Sequence, residues 1–274
     1  MPQQLEEHIL YNGRIKLYFN SARHLYYVYD EMGVLKPIMG VTTASSALEK
    51  PALINWAVNK VCIPYLQQRI LPNRKYDHFQ LDEIFKEASK EHTKKKADAA
   101  SLGSKAHLWA ELYIKGMKPK LPKQKGLRFL VDNFLKWLDE YKVKFLESEK
   151  KIYSIKYDYA GTLDFEAIIN GELCIGDFKT ASGIWDEYKF QIAAYNAARA
   201  EETGKDYKAS WIIRFSKDTG GESEGHTFIP FEALYIPKEE HEKDFQAFLG
   251  AMTAKKRLLE LERERKIRRL QKEL

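Results

Sequence analysis

The stretch Tyr159-Ala-Gly-Thr-Leu-Asp164-Phe-Glu-Ala-Ile-Ile-Asn170-Gly171-Glu-Leu-Cys-Ile-Gly-Asp177-Phe-Lys179-Thr180 reads as two strands joined by a two-residue turn. Thr162 to Ile169 is rich in β-forming residues. Asn170-Gly171 is the dipeptide that type I′ hairpin turns favour, and Glu172 to Thr180 is the return strand. Asp164 stands six residues before Asn170, and Asp177 six after Gly171. Positions equidistant from such a turn face each other, so the two carboxylates are predicted to be cross-strand neighbours. Asp177 and Lys179 are two apart and share a face. Like charges directly opposite destabilise a sheet. A divalent cation offsets that repulsion, since Mg²⁺ is usually held by one or two carboxylates together with substrate phosphate oxygens.

Asp164 followed by Asp177-x-Lys179 resembles the bipartite signature of the PD-(D/E)XK nuclease superfamily. Gln191-x-x-x-Tyr195 stands where RecB-type members carry a QxxxY motif, and Gly103-x-x-x-His107 is similar to the helix-borne histidine motif of the same group. The likeness spans about residues 100–200, with a weaker echo at Val41-Thr-Thr and Trp56. It resembles the phage-type and RecB-like exonucleases, a group that includes the mitochondrial genome maintenance exonuclease. The resemblance implies an α/β fold with a restriction-endonuclease-like core: a central mixed sheet flanked by helices, and a mainly helical N-terminal part walling the cleft. It implies metal ligation by Asp164, Asp177 and the Phe178 carbonyl, with His107 ligating the metal or touching a phosphate and Glu111 as an outer carboxylate, bound directly or through water. Lys179 would orient or deprotonate a water, or neutralise developing charge. Gln191 and Tyr195 would bind substrate or support the site. Mg²⁺ is the expected cofactor and Mn²⁺ should substitute. Some relatives hold an iron–sulfur cluster through four cysteines; this chain has two, so none is expected.

Each of these residues also has an ordinary reading. Glu111, four after His107 on a predicted helix, could be an exposed helix acid. Gln191 and Tyr195 could be helix–sheet packing, which suits the tyrosine better. Cys62 and Cys174 read as buried free thiols.

Among 274 residues the charge balance is +6 and 44% are hydrophobic, enough for a sizeable core and a lean toward a polyanionic partner. Lys94-Lys95-Lys96 precedes the His107 helix and is either a phosphate contact or a solvated face. Ser45 and Ser46 could meet a phosphate or cap a short helix. Thr180, closing the DxK strand, is a further candidate DNA contact. Lys115 to Gly126 holds five lysines and two prolines, a basic loop. Tyr26, Tyr27 and Tyr29 lie in a strand pattern beside a turn at Asn20 and could stack on bases or form a half-buried face. The last 21 residues carry nine Lys or Arg against four Glu, as a charged helix.

Other elements predicted are helices over 51–68, 81–115 (broken near Ser101-Leu-Gly103-Ser104), 127–147, 185–200 and 239 to the end. Strands are predicted at 15–19, 24–29, 149–159, 210–215 and His226-Thr-Phe-Ile, with a turn at Asp218-Thr-Gly-Gly. Pro51 suits a first helical turn, and Trp56 falls on the apolar face with Ile54 and Val58. The chain divides into 1–100 (strands and helices walling the cleft), 101–235 (nuclease core) and 236–274 (basic helix). No apolar run approaches the ~20 residues of a membrane span. The first 20 residues lack a signal-peptide core, and Glu6 and Glu7 argue against a transit peptide. A cytoplasmic protein of a bacterial or phage-infected cell is expected.

The expected function is a metal-dependent DNA exonuclease of recombination, repair or replication, acting on single strands or DNA ends, with a recombination protein as a further partner. A structure-selective endonuclease on the same fold and a catalytically silent DNA-binding protein are the alternatives. Strand polarity, the number of metals and the oligomeric state have no signature in the sequence.

Overall fold

The computed structural model describes residues 5–48, 54–55, 57–216 and 230–273, with the side chains of 92–101 and 272–273 outside that set. One mixed sheet of nine strands runs through it, in the order β1-β2-β3-β4-β6-β7-β8-β9, with β5 on the other edge of β6. Helices cover both of its faces.

The chain opens with an antiparallel meander, β1 (Glu6–Leu10), β2 (Ile15–Asn20), β3 (Leu25–Tyr29) and β4 (Leu35–Gly40). A short helix α1 (Val41–Ser45) follows, then a π-helical turn (Ala57–Cys62) leading into α2 (Ile63–Arg69). Helix α3 (His78–Ile114) is 37 residues long and starts in a capping box between Asp77 and Gln80. It runs through Ser101-Leu-Gly103-Ser104 unbroken, contrary to expectation. α4 (Lys125–Glu140) precedes the central strands β5 (Lys144–Ser154), β6 (Tyr159–Ile169) and β7 (Glu172–Thr180). Then come α5 (Asp186–Thr203), β8 (Ala209–Phe215), β9 (Phe231–Pro237) and α6 (Lys238–Glu273).

The predicted hairpin is present. Asn170 and Gly171 have φ of 51° and 87°, the left-handed pair that a type I′ turn demands. The ladder runs from Ile169↔Glu172 to Phe165↔Gly176, the register that the turn sets. β7 then continues in parallel pairing with β8 along Cys174 to Thr180.

Two apolar layers hold the sheet. Phe134 and Trp137 of α4, with Ala106 and Trp109 of α3, pack on Phe165, Phe178, Trp211 and Phe215. On the other face Ile192 and Tyr195 of α5, with Phe248 and Met252 of α6, pack on Leu163, Ile175 and Ile212. Burying each of the Phe, Leu, Ile and Met side chains among them is worth about 1.5–3 kcal/mol. A third cluster (Leu10, Leu17, Phe19, Tyr26, Ile38) ties the N-terminal meander to Tyr153 and Ala160.

Several boundaries differ from the sequence reading. The helix predicted over 127–147 stops at Glu140, because Lys142 turns left-handed at φ 50°, and residues 144–149 belong to β5. Strands β1, β4 and β9 were not predicted. Residue 100, an expected boundary, lies inside α3. Ile54 and Val58 are exposed rather than core. Pro51, Trp56, the Asp218 turn and the His226 strand lie outside the described residues. Among those described, no helix is long and apolar enough to cross a membrane.

Candidate active site

One edge of β6 carries β5 along its length. The other is shared: β4 pairs with Tyr159 and Ala160, and β7 with Phe165 to Ile169. Gly161 to Asp164 lie between the two partners with no strand pairing on that edge. The candidate residues gather at this notch.

Asp164 and Asp177 face each other one position beyond the last paired residues, Phe165 and Gly176. There the strands part, and the Phe178 N–H donates to Asp164 Oδ2 at 2.6 Å. Phe178 points the opposite way from its neighbours, into the aromatic layer, with ring centroids 5.0 Å from Phe165 and 5.7 Å from Phe215. Because side chains alternate along a strand, that anchor fixes Asp177 and Lys179 on the α5 side. Lys179 Nζ lies 2.5 Å from Asp177 Oδ2, an ion pair without hydrogen-bond alignment. It donates to Gln191 Oε1 at 3.0 Å and sits 5.0 Å above the Tyr188 ring. Burial pushes the Tyr188 phenol up to about 12.

Gln191 is thus buried and bonded to the lysine, a polar role that packing alone does not explain. Tyr195 is also buried, and its ring packs where a Cβ on Gly161 would come within 2.8 Å. Burial and then the charges of Asp177 and Asp164 hold its hydroxyl well above the usual range. It walls the notch.

His107 approaches from α3, its ring 5.2 Å from that of Phe178. Burial lowers its pKa, against the pull of Asp177 and Glu111, so the neutral imidazole is favoured. One turn earlier Gly103 lets the helix touch β7: a Cβ there would stand 2.0 Å from Thr180 Cγ2. Gly103→Ala should push α3 off the strand, costing about 1–3 kcal/mol by overpacking and lowering activity as His107 recedes. Thr180→Ala in the same chain should recover part of the loss, which thermal melts of both variants would show.

Asp164 sits half-buried in the notch, and burial together with the neighbouring Asp177 charge raises its carboxyl well above the ordinary value. The folded protein therefore keeps a proton that the unfolded chain releases, and stability falls as pH rises through that window. Asp164→Asn removes this penalty. In metal-free buffer at neutral pH it should melt above the parent protein, and a lower melting point would contradict the burial argument.

The structure adds one residue that the sequence reading missed. His107, Glu149 and Asp164 offer one ligand atom each, all within 4.8 Å of one another. Glu149 faces Asp164 across the β5–β6 ladder, between the pairs Ser148↔Phe165 and Lys150↔Leu163, and has a left-handed φ of 53°.

Among the described residues, the other expected contacts have partners of their own. Glu111 is paired with Lys115 one turn further along α3. Ser45 is buried with its hydroxyl on the Val41 carbonyl, and Ser46 bonds the Thr43 carbonyl. The helix they belong to has its N-cap at Gly40 instead, and Ser45 has no surface for a phosphate. Thr180 is half-buried against Gly103. Lys94, Lys95 and Lys96 lie on α3, with side chains outside the described set.

No family model matches this chain, and neither does any curated protein. Among solved structures it is similar to an exonuclease candidate from Eubacterium rectale, at 13% identity and a TM-score of 0.35, over 57% of this chain and 68% of that one. It is also similar to the structure of SSO0001, at 10% identity and a TM-score of 0.27, over 75% and 86% of the two chains.

Proposed function

We propose that the chain is a metal-dependent nuclease that hydrolyses DNA phosphodiester bonds at the β6–β7 fork, in the manner of the PD-(D/E)XK enzymes its motifs resemble. The observation that carries this reading is the convergence of Asp164, Asp177, Lys179 and His107 on one notch, from two strands and a helix. An Asp164 carboxylate whose burial and neighbouring charge outweigh its one backbone hydrogen bond suits a cation site, as does the oxygen-rich donor set of Asp164, Asp177 and the Phe178 carbonyl. A divalent cation there would supply Lewis-acid polarisation of the phosphoryl group and a more acidic water.

The chain's own residues do the rest. Gln191 and Asp177 hold the Lys179 ammonium at the mouth of the notch, where it can hydrogen-bond the attacking water or neutralise charge on the phosphoryl oxygens. Neutral His107 offers a lone pair rather than a positive charge. Tyr195 and the aromatic layer behind Phe178 keep one side of the site dry, which strengthens every charge interaction within it. We extend the reading to exonuclease action, with Mg²⁺ or Mn²⁺ as cofactor.

Linear duplex, linear single-stranded and closed circular DNA, each with Mg²⁺, Mn²⁺ or EDTA, test the reading. Metal-dependent loss of the linear forms alone is expected. Nicked circles would replace the exonuclease by an endonuclease, and a gel shift without cleavage would leave a silent DNA-binding fold. Binding should weaken with salt, with a slope of about −0.7 per phosphate contact on single strands; a flat salt dependence would remove phosphate contacts from the account.

A further inference from the structure

We infer that Glu149, His107 and Asp164 form a second divalent-cation site beside the Asp164–Asp177 pair, with Asp164 shared and with a preference for Mn²⁺ over Mg²⁺. The inference deepens the nuclease reading and rests on it.

Three independent features point to Glu149. The first is placement. Its carboxylate, an Asp164 oxygen and a His107 nitrogen lie within 4.8 Å of one another. A cation with donors at about 2.0–2.2 Å spans opposite ligands about 4.2 Å apart, so sub-ångström movement closes the set.

The second is backbone. A non-glycine residue inside a strand at φ 53° is held in a sparsely populated region, at a cost of order 1–3 kcal/mol. The strain coincides with an exchange of faces in the partner strand. Leu163 of β6 packs in the α5 layer, whereas Phe165, two residues on, packs in the α4 layer. Strict alternation would place both on one face. Glu149 and Asp164 are the facing residues at which this irregularity falls, and a local break of this kind re-aims side chains without ending the strand.

The third is the lack of a directly bonded protein cation, although the charges of Lys151 and Lys115 reach the carboxyl from a distance. Among the described residues no hydrogen bond or ion pair engages the Glu149 carboxylate. Lys151, two residues on, sends its ammonium over the Phe19 ring at 4.6 Å and toward the Glu149 carbonyl at 3.5 Å. Burial, then the charge of Glu111, outweigh those two lysines and raise its carboxyl, so a half-buried acid kept beside Asp164 gains from a nearby cation.

The donors also set the preference. The Asp164–Asp177 pair and the Phe178 carbonyl are all oxygen and suit Mg²⁺. A site with an imidazole favours a transition ion.

Mn²⁺ titration of the full chain without DNA, read by the electron paramagnetic resonance of free Mn²⁺, tests the inference. The parent protein should bind two ions. Glu149→Gln should bind one, and Asp177→Asn should also retain one, the other of the two. Glu149→Asp, one methylene shorter, should weaken the second site at least tenfold. Mg²⁺ should displace the ion that Glu149→Gln retains at lower concentration than the ion that Asp177→Asn retains. Glu149→Gln should also melt no lower than the parent in EDTA, as a purely structural acid would not.

Parent-like stoichiometry and affinity in Glu149→Gln would overturn the inference, as would loss of both ions. One ion in the parent, lost in Asp177→Asn and indifferent to Glu149, would overturn it while leaving the nuclease reading standing. An Asp177→Asn variant that keeps both ions would instead count against that reading.

Discussion

Asp177→Ala is expected to lower DNA cleavage by about 10³-fold or more while the protein stays folded. The estimate follows from the several kcal/mol of transition-state charge stabilisation that a bound cation supplies, with each 1.36 kcal/mol worth tenfold. Asp177 carries two functions. It would be a cation ligand, and it holds the Lys179 ammonium 2.5 Å away. Alanine removes both, and it leaves Lys179 with Gln191 and the Tyr188 face as its remaining partners. The fold should tolerate this, because Phe178, the neighbour that anchors the strand, keeps its place among Phe134, Phe165 and Phe215. Cleavage rates with Mg²⁺, taken beside a thermal melt, separate the two effects. Parent-like cleavage by Asp177→Ala would remove it from the site.

Glu166→Ala should instead be a folding variant. Glu166 is fully buried on β6 and takes hydrogen bonds from Arg199 Nε at 3.0 Å, Lys205 Nζ at 2.7 Å and the Tyr207 hydroxyl at 2.9 Å. Arg199 is itself buried and reaches Glu202 at 2.9 Å, so the cluster ties the middle of the sheet to α5. Removing one partner of a buried pair typically costs about 3–5 kcal/mol. At a few degrees per kcal/mol for a chain of this size, the melting temperature should fall by about 10 °C. Burial alone would raise the Glu166 carboxyl, but the hydrogen bonds from Lys205, Arg199 and Tyr207 together outweigh it, and the net shift is downward. The contribution is therefore present above the unfolded-state value of 4.5 and lost as pH falls through the lower folded one. The parent should lose stability more steeply than Glu166→Ala through that acid range. Parallel pH profiles would contradict the assignment.

The sequence made the hairpin legible because its signal is local. Asn170-Gly171 fixes the turn, the turn fixes the register, and the register places Asp164 opposite Asp177 without further information. Gln191 was legible as a candidate through its spacing to Tyr195, and the structure adds the bond to Lys179 that sets it apart from packing. Glu149 was illegible as a site residue for two physical reasons. It reads as the first residue of a strand, but the helical pattern of α4 runs on through Phe145 and Glu147 with no signal for the left-handed turn at Lys142, so the true start of β5 and its register on β6 stayed hidden. The left-handed φ at Glu149 itself is equally silent, since nothing but tertiary context holds a glutamate there. β1 was hidden by its charged residues Glu6 and Glu7, and β4 by Pro37, a residue that ordinarily demotes a strand. β4 tolerates it because its pairing with β6 is confined to Met39 and Gly40. Ser45 and Ser46 illustrate the reverse case. Both looked available to a phosphate, and both bond carbonyls of their own helix.

The central claim is that phosphodiester hydrolysis occurs at the fork between β6 and β7. The most direct measurement is the single-turnover cleavage rate of an end-labelled linear oligonucleotide by the parent protein and by Asp164→Asn, each with Mg²⁺, Mn²⁺ and EDTA. The account predicts cleavage by the parent with either cation, none in EDTA, and a loss of about 10³-fold or more in Asp164→Asn even though that variant melts higher. Parent-like cleavage by Asp164→Asn, or an inert parent protein with both cations, would contradict it.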